Sequence, residues 1–179
     1  KVEEKLHTID WGREKLILFV GRLIASKGLH SVIAALPEIL ADEPNTHLIV
    51  VGHGPQREPL EALIWALQNN HTELVFRIVQ WGSELESNGE GPWEEMQLYF
   101  EHLQKANELD IYFRKAQQYL RKNTILFTGY LTHRELCCLF PACDVAIFPS
   151  VVAEAGPLVF LEAMASGCFP VGTYFAGMA

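Results

Sequence analysis

Five short apolar runs recur along the chain, and four of them end directly at a glycine or a proline. The runs lie at 16–20, 47–51, 125–128, 145–148 and 169–173. Continuous apolar runs of this length are typical of parallel strands that are buried on both faces, whereas strands with one wet face alternate apolar and polar residues. The pattern therefore predicts five strands of a parallel sheet.

Helical patterns separate these runs. After the first run, apolar residues recur at helical spacing and predict a helix over about 28–41, which Pro37 should bend or shorten. Further helices are predicted over 60–67, from the capping box Thr132–Glu135 onward, and from about Pro157 to Gly167. The last of these is expected to turn three residues inward: Leu158, Leu161 and Ala165. Strands alternating with helices predict an α/β fold, a Rossmann-like doubly wound parallel sheet that forms one domain over 1–179.

The stretch from 57 to 122 interrupts this rhythm, because an ordinary crossover between two strands needs far fewer residues. Residues 74–79 fit a strand or a helix equally well, while 93–122 are helical with a break near Asp110. We interpret about 70–122 as an inserted helical segment packed on the domain. We expect the aromatic residues of this stretch to lie in a core, rather than to form a lid or a partner surface: Trp81, Trp93, Tyr99 and Phe113.

Composition limits the classes of function. The net charge of −8 argues against a nucleic-acid or anionic-membrane surface, although a small anionic ligand needs only one or two cations. No apolar run is long enough to span a bilayer, and residues 1–5 do not open a signal peptide. Four cysteines lack metal-ligand spacing and have apolar neighbours, so we expect buried, reduced thiols in a cytoplasmic protein: Cys137, Cys138, Cys143 and Cys168.

Candidate chemistry follows the first and fourth strands. In doubly wound sheets the ligand lies at the carboxyl ends of the strands, where the strand order reverses. Arg22 and Lys27 follow the first strand and suit a diphosphate, or they are simply part of a solvated loop. Glu154 and Glu162 flank a helix start whose free amides suit phosphate oxygens, and their carboxylates can accept hydrogen bonds from sugar hydroxyls. Acidic residues near a helix N-terminus are also simply stabilising, so the spacing leaves both interpretations open.

Five motifs in order make the chain recognisable. They are Gly21-Arg22-Leu23 with Lys27-Gly28, then 51–55, then 127–130, then 144–150, and then Glu154 through Gly167. Together they resemble the C-terminal, donor-binding domain of retaining GT-B glycosyltransferases of family 4 (group 1). The resemblance covers most of the chain outside the insertion and implies a hexosyltransferase that uses a nucleotide-diphosphate sugar, such as a UDP-sugar, without a metal.

The resemblance also implies roles for individual residues. Arg22, Lys27 and Glu154 would be the catalytic set, in which the two cations hold the diphosphate and stabilise the leaving group. Glu154 would bind hydroxyls of the transferred sugar and Glu162 the ribose, and backbone around Gly129 to Leu131 would line the base pocket. The other donor-binding positions would be Gly21, Ala155, Gly156, Pro157 and Leu158. Pro157 stands where many relatives have glycine, which removes one amide donor, and His53 is interpreted as a loop residue.

The resemblance implies missing parts as well. We expect the family's N-terminal acceptor domain and the last C-terminal helices to be absent from this chain, which then binds donor weakly and transfers no sugar alone. Two alternatives remain open from the sequence: a GT-B-fold epimerase acting on nucleotide sugars, and a non-catalytic nucleotide-binding or interaction module.

Overall fold

The computed structural model describes residues 6–86, 89–154, 156 and 158–174. The strands are β1 (Lys15–Val20), β2 (Thr46–Val51), β3 (Ile125–Gly129), β4 (Val145–Phe148) and β5 (Phe169–Gly172). The helices are α1 (Leu29–Asp42), α2 (Arg57–Gln68), α3 (Thr72–Trp81), α4 (Glu94–Lys105), α5 (Leu109–Tyr119), α6 (His133–Leu139) and α7 (Leu158–Ala165). Short 3-10 turns lie at Ala25–Lys27, Gly82–Leu85 and Phe140–Ala142.

The five strands form one parallel sheet in the order β3-β2-β1-β4-β5. β1 is central and pairs in register with β2 from Lys15 opposite Thr46 to Val20 opposite Val51. On its other side β1 pairs with β4, where Ile17 lies opposite Val145. The chain thus builds the sheet outward through β2 and β3 and then returns to the other side of β1. The strand order reverses between β1 and β4, which is where such sheets bind ligands.

Helices cover both faces of the sheet, as the doubly wound prediction requires. Successive strand residues enter opposite clusters because their side chains alternate: Leu18 lies in one core and Phe19 in the other, and Ile49 and Val50 do the same. Helices α1 to α5 contribute to the larger core, and α6 and α7 to the smaller one. Burial on both faces explains why the strands appear as unbroken apolar runs.

The stretch between β2 and β3 holds helices α2 to α5 and one 3-10 turn, joined by short turns and loops, and no strand lies among its described residues. Residues 74–79, which fitted either structure, lie within α3, and the chain breaks between α4 and α5 at Asn107, which has a left-handed φ of 59°. Trp93 and Phe113 are buried in the larger core, and Tyr99 packs against it. Trp81 departs from the predicted core role, because 46% of it is exposed.

Helix α1 continues through Pro37 to Asp42, so the predicted shortening is wrong. A proline inside a helix costs one backbone hydrogen bond, but the Pro37 ring is itself buried, and apolar burial offsets that cost. Within the described ranges, no helix combines the length and the apolar character needed to cross a bilayer.

Two further predictions about side-chain burial are wrong. In α7, Leu158 is 74% and Leu161 59% exposed, and Ala165 is also exposed, while Ala163 is fully buried. This helix is apolar on nearly every side, so the spacing of its residues does not indicate which face packs. Cys137 and Cys138 are exposed on α6, whereas Cys143 and Cys168 are buried free thiols as expected.

Candidate functional site

The loops that follow β1 and β4 meet where the strand order reverses. The backbone N–H of Val151 donates to the carbonyl oxygen of Ser26 at 3.0 Å. Gly28 has a left-handed φ of 69°, and a Cβ there would collide with the carbonyl oxygen of Pro149. Only glycine allows the two backbones to approach this closely. The residues after β1 are therefore held directly against those after β4.

An ion pair joins these two loops. The Lys27 Nζ lies 2.6 Å from the Glu154 Oε1, and the side chains are 29% and 15% exposed. The Ser150 hydroxyl donates to the same carboxylate oxygen. Burial opposes ionisation of Glu154, but the hydrogen bonds from Lys27 and Ser150 hold the pKa of this carboxyl below its ordinary value. The structure brings together two predicted residues that are 127 positions apart.

A crevice of about 250 Å³ opens beside this pair at the carboxyl ends of the strands. Its walls include the predicted residues Gly21, Arg22 and Leu131. A small recess lined by Lys27 and Glu154 shares two wall residues with it, Val20 and Val159, so the two spaces adjoin.

Arg22 is exposed at the mouth of the crevice. Within the part of the chain that the structure describes, its guanidinium has no ion-pair or hydrogen-bond partner. A planar group with five donors and no internal acceptor is suited to an anionic ligand such as a phosphate.

Glu162 lies on α7 next to the crevice wall. Its Oε1 is 3.5 Å from Nδ1 of His133, which lines the crevice. Its Oε2 is buried and lacks a hydrogen-bond partner among the described residues. The side chain as a whole is 35% exposed, so its carboxylate is accessible to a ligand hydroxyl.

The backbone positions of the prediction have different surroundings. Gly129 ends β3 with a left-handed φ of 82°, and its carbonyl accepts a hydrogen bond of 2.8 Å from the Gly52 N–H. Gly156 is exposed with a φ of 120°. Leu158 begins α7 with a side chain that is 74% exposed. Ala155 and Pro157 lie outside the described residues.

Four residues with polar side chains at the site were not among the predicted site residues. Ser150 binds Glu154, and three further residues line the crevice: His53, Tyr130 and His133. His53 was interpreted as a loop residue, and its ring lies 6.4 Å from that of Tyr130 in an edge-on arrangement. All four lie at or just after the carboxyl end of a strand, and this position was the available signal.

Comparisons with known proteins indicate the family and the fold of the chain. A sequence model of the family described as "Glycosyl transferases group 1" matches residues 4–81 and 105–179. An uncharacterised glycosyltransferase of Methanocaldococcus jannaschii is 28% identical over 86% of this chain and 26% of its own length. Glycogen synthase of Mycobacterium tuberculosis is 26% identical over 90% of this chain and 26% of its own length.

Among solved structures, the Anabaena protein HepE in complex with UDP-glucose superposes with a TM-score of 0.54. It is 19% identical, and the match covers 99% of this chain and 34% of HepE, so the likeness concerns the GT-B, Rossmann-like fold. The chain spans about a quarter of the length of the curated relatives that it matches. Because the family model covers most of its residues, this chain belongs to the glycosyl transferases group 1 family.

Proposed function

We propose that this chain forms the donor site of a cytoplasmic, retaining hexosyltransferase that takes a nucleotide-diphosphate sugar and needs no metal. The observation that carries the proposal is the Lys27–Glu154 pair at the strand reversal, beside the crevice and beside Arg22, which has no ion-pair partner among the described residues. This arrangement places two cations and a carboxylate where doubly wound sheets bind ligands.

The ion pair suggests how a donor exchanges partners at this site. Without ligand, the Lys27 ammonium is neutralised by Glu154. A diphosphate offers Lys27 a stronger anionic partner, and Glu154 is then released to accept hydrogen bonds from sugar hydroxyls. Arg22 holds the same diphosphate from the crevice mouth. The two cations stabilise the charge that grows on the leaving diphosphate, which is the role a divalent cation plays in other transferases.

The nucleoside is proposed to occupy the crevice, and not the small recess beside Lys27 and Glu154. Glu162 lies next to that wall with a side chain that is 35% exposed, and its carboxylate suits a ribose hydroxyl. Gly129 to Leu131 lie at the end of β3 and offer backbone groups and the Leu131 side chain to the base. UDP is the first nucleotide to test, because HepE, which shares the fold, was solved with UDP-glucose.

Sugar transfer by the full protein is proposed to need a second, acceptor-binding domain. The relatives support this, because this chain matches only 26% of their length. A donor site accelerates transfer only when the acceptor is positioned against the sugar. We therefore expect the 179-residue chain to bind donor without transferring sugar at a rate typical of enzymes.

Titration calorimetry of the 179-residue chain with UDP, ADP, GDP and their glucose conjugates tests the proposal. Arg22→Ala and Lys27→Ala are each expected to weaken nucleotide binding about tenfold or more, because each removes a charge-assisted hydrogen bond worth about 1.5–3 kcal/mol. Arg77→Ala is the matched control, since it removes an exposed arginine of α3 far along the chain. Nucleotide binding that Arg22→Ala and Lys27→Ala leave unchanged contradicts the assigned site, and no binding of any nucleotide contradicts the function.

A further inference from the structure

Residues 82–104 form the stretch between the two parts of the chain that the family model matches. The first residues of this 82–104 segment make backbone hydrogen bonds within the segment and with α3. The Ser83 N–H donates to Gly91 at 2.8 Å, and the Trp93 N–H donates to Val79 at 3.0 Å. Gln56 lies in the loop that follows β2, and its buried side chain donates to the carbonyl of Gly82 at 3.4 Å. The described residues of this segment therefore have a defined position against the body of the domain.

One carboxylate of this segment reaches the loop after β1. The Glu86 side chain accepts a hydrogen bond from the backbone N–H of Ala25. Ala25 is the first residue of the 3-10 turn that ends at Lys27. The first N–H groups of a helical turn have no partner within the turn, so an acceptor carboxylate stabilises its start. The residue before the turn, Ile24, has a side chain that makes no capping hydrogen bond, so Glu86 supplies the cap from a distant part of the chain.

A second contact of the same segment lies immediately after the turn. Trp93 stacks on His30 with ring centroids 4.6 Å apart and planes 8° from parallel. The Glu95 Oε2 lies 3.5 Å from the Nε2 of the same histidine, which is 2% exposed in the first turn of α1. The segment thus holds the chain on both sides of Lys27, at Ala25 and at His30.

The opposite side of this turn faces the residues after β4. Ser26 accepts from the Val151 N–H at 3.0 Å, and Lys27 pairs with Glu154 at 2.6 Å. The turn that carries the Lys27 ammonium is therefore clamped between the β4 loop and the 82–104 segment. A displacement of the turn moves the cation relative to both Glu154 and the crevice.

We propose that Glu86 is a positioning residue for donor binding, which fixes the Ala25–Lys27 turn and thereby makes donor affinity depend on the 82–104 segment. The inference rests on the proposed function, because it assigns Lys27 to the donor diphosphate. Glu86 does not touch the donor in this account; it acts through Lys27.

The test compares single variants of the 179-residue chain and one double variant in titrations with UDP and UDP-glucose. Glu86→Ala is expected to weaken binding about fivefold, the effect of one typical hydrogen bond, and Glu86→Gln to restore most of it because the amide oxygen still accepts. Glu84→Ala, which removes an exposed carboxylate of the same segment, is the matched control and is expected to change nothing. In a Lys27→Ala background, Glu86→Ala is expected to have no further effect.

Amide hydrogen exchange supplies a readout that needs no ligand. Glu86→Ala is expected to speed exchange at Ala25 to Lys27, whereas Glu84→Ala leaves it as in the unsubstituted chain. Equal affinity and equal exchange in Glu86→Ala and the unsubstituted chain overturn the positioning role, as does a loss of affinity that persists without Lys27. If the unsubstituted chain binds no nucleotide although exchange at the turn still depends on Glu86, the proposed function fails, and the role of Glu86 in donor binding fails with it.

Discussion

Replacing Lys27 by methionine tests the ion pair at the centre of the site. Methionine keeps much of the apolar stem but removes the ammonium. Among the described residues, only the Ser150 hydroxyl then still donates to Glu154, whose side chain is 15% exposed. Leaving a mostly buried carboxylate without its cation is expected to lower the free energy of unfolding by about 1.5–3 kcal/mol at pH 7.

Substitution of the other partner, Glu154, should lower the free energy of unfolding by less. Glu154→Gln still accepts from Lys27 and Ser150, and it leaves an ammonium that is 29% exposed and reaches water more easily. We expect a loss of about 1 kcal/mol. Arg77→Met is the matched control, because its pair with Glu73 has side chains that are 63% and 76% exposed. Breaking such a pair should change the free energy of unfolding by no more than about 0.5 kcal/mol.

The effect of Lys27→Met should also depend on pH. Because the folded state lowers the pKa of Glu154, the stability that the pair contributes is present above the ordinary pKa of a glutamate, about 4.3, and is lost as the pH falls through the lower folded value. Urea unfolding followed by circular dichroism, from pH 7 down to about pH 3, measures this window. A difference between Lys27→Met and the unsubstituted chain that stays below about 0.5 kcal/mol at pH 7, or that does not shrink in acid, refutes the assigned pair.

Two further predictions concern the surroundings of the site. Gly28→Ala should destabilise the chain more than Gly91→Ala in thermal unfolding. Both glycines have a left-handed φ, but of the two only Gly28 would bring a Cβ against another part of the backbone. Equal losses of stability would contradict the close contact between the two loops. In the native chain, Cys137 and Cys138 are exposed and should react with a thiol reagent. Cys143 should be protected, because burial raises the pKa of its thiol to about 12. Rapid modification of Cys143 would contradict its burial.

The sheet could be predicted from the sequence because its strands are buried on both faces. Such strands are unbroken apolar runs, and β1 begins only one residue before the run at 16–20. The helical stretch at 74–79 could not be separated from a strand, because the local pattern is compatible with both and packing onto the larger core decides. The inward face of α7 could not be chosen, because Leu158 and Leu161 are as apolar as the residues that pack.

Some residues of the candidate site could be named from the sequence, but their contacts could not. Lys27 and Glu154 each follow a strand, and both were candidates, but their pairing depends on the approach of two loops that local sequence does not encode. The hydrogen bond from Ala25 to Glu86 joins residues 61 positions apart, and it depends on where an inserted segment packs. Ser150 acts through a short-range contact with Glu154, yet serine in a turn is so common that its type alone carries no signal.

Donor binding at the junction of the β1 and β4 loops is the central claim, and amide chemical shifts measured during a titration with UDP-glucose test it most directly. The account predicts that shifts move with increasing ligand at residues 21–28 and 129–131, which surround the crevice and the Lys27 turn, while those of α5 (Leu109–Tyr119) stay constant. The result that contradicts it is a set of changes concentrated on α4 and α5, or no change at a ligand concentration of several millimolar, about the weakest binding that a donor site of this kind should show.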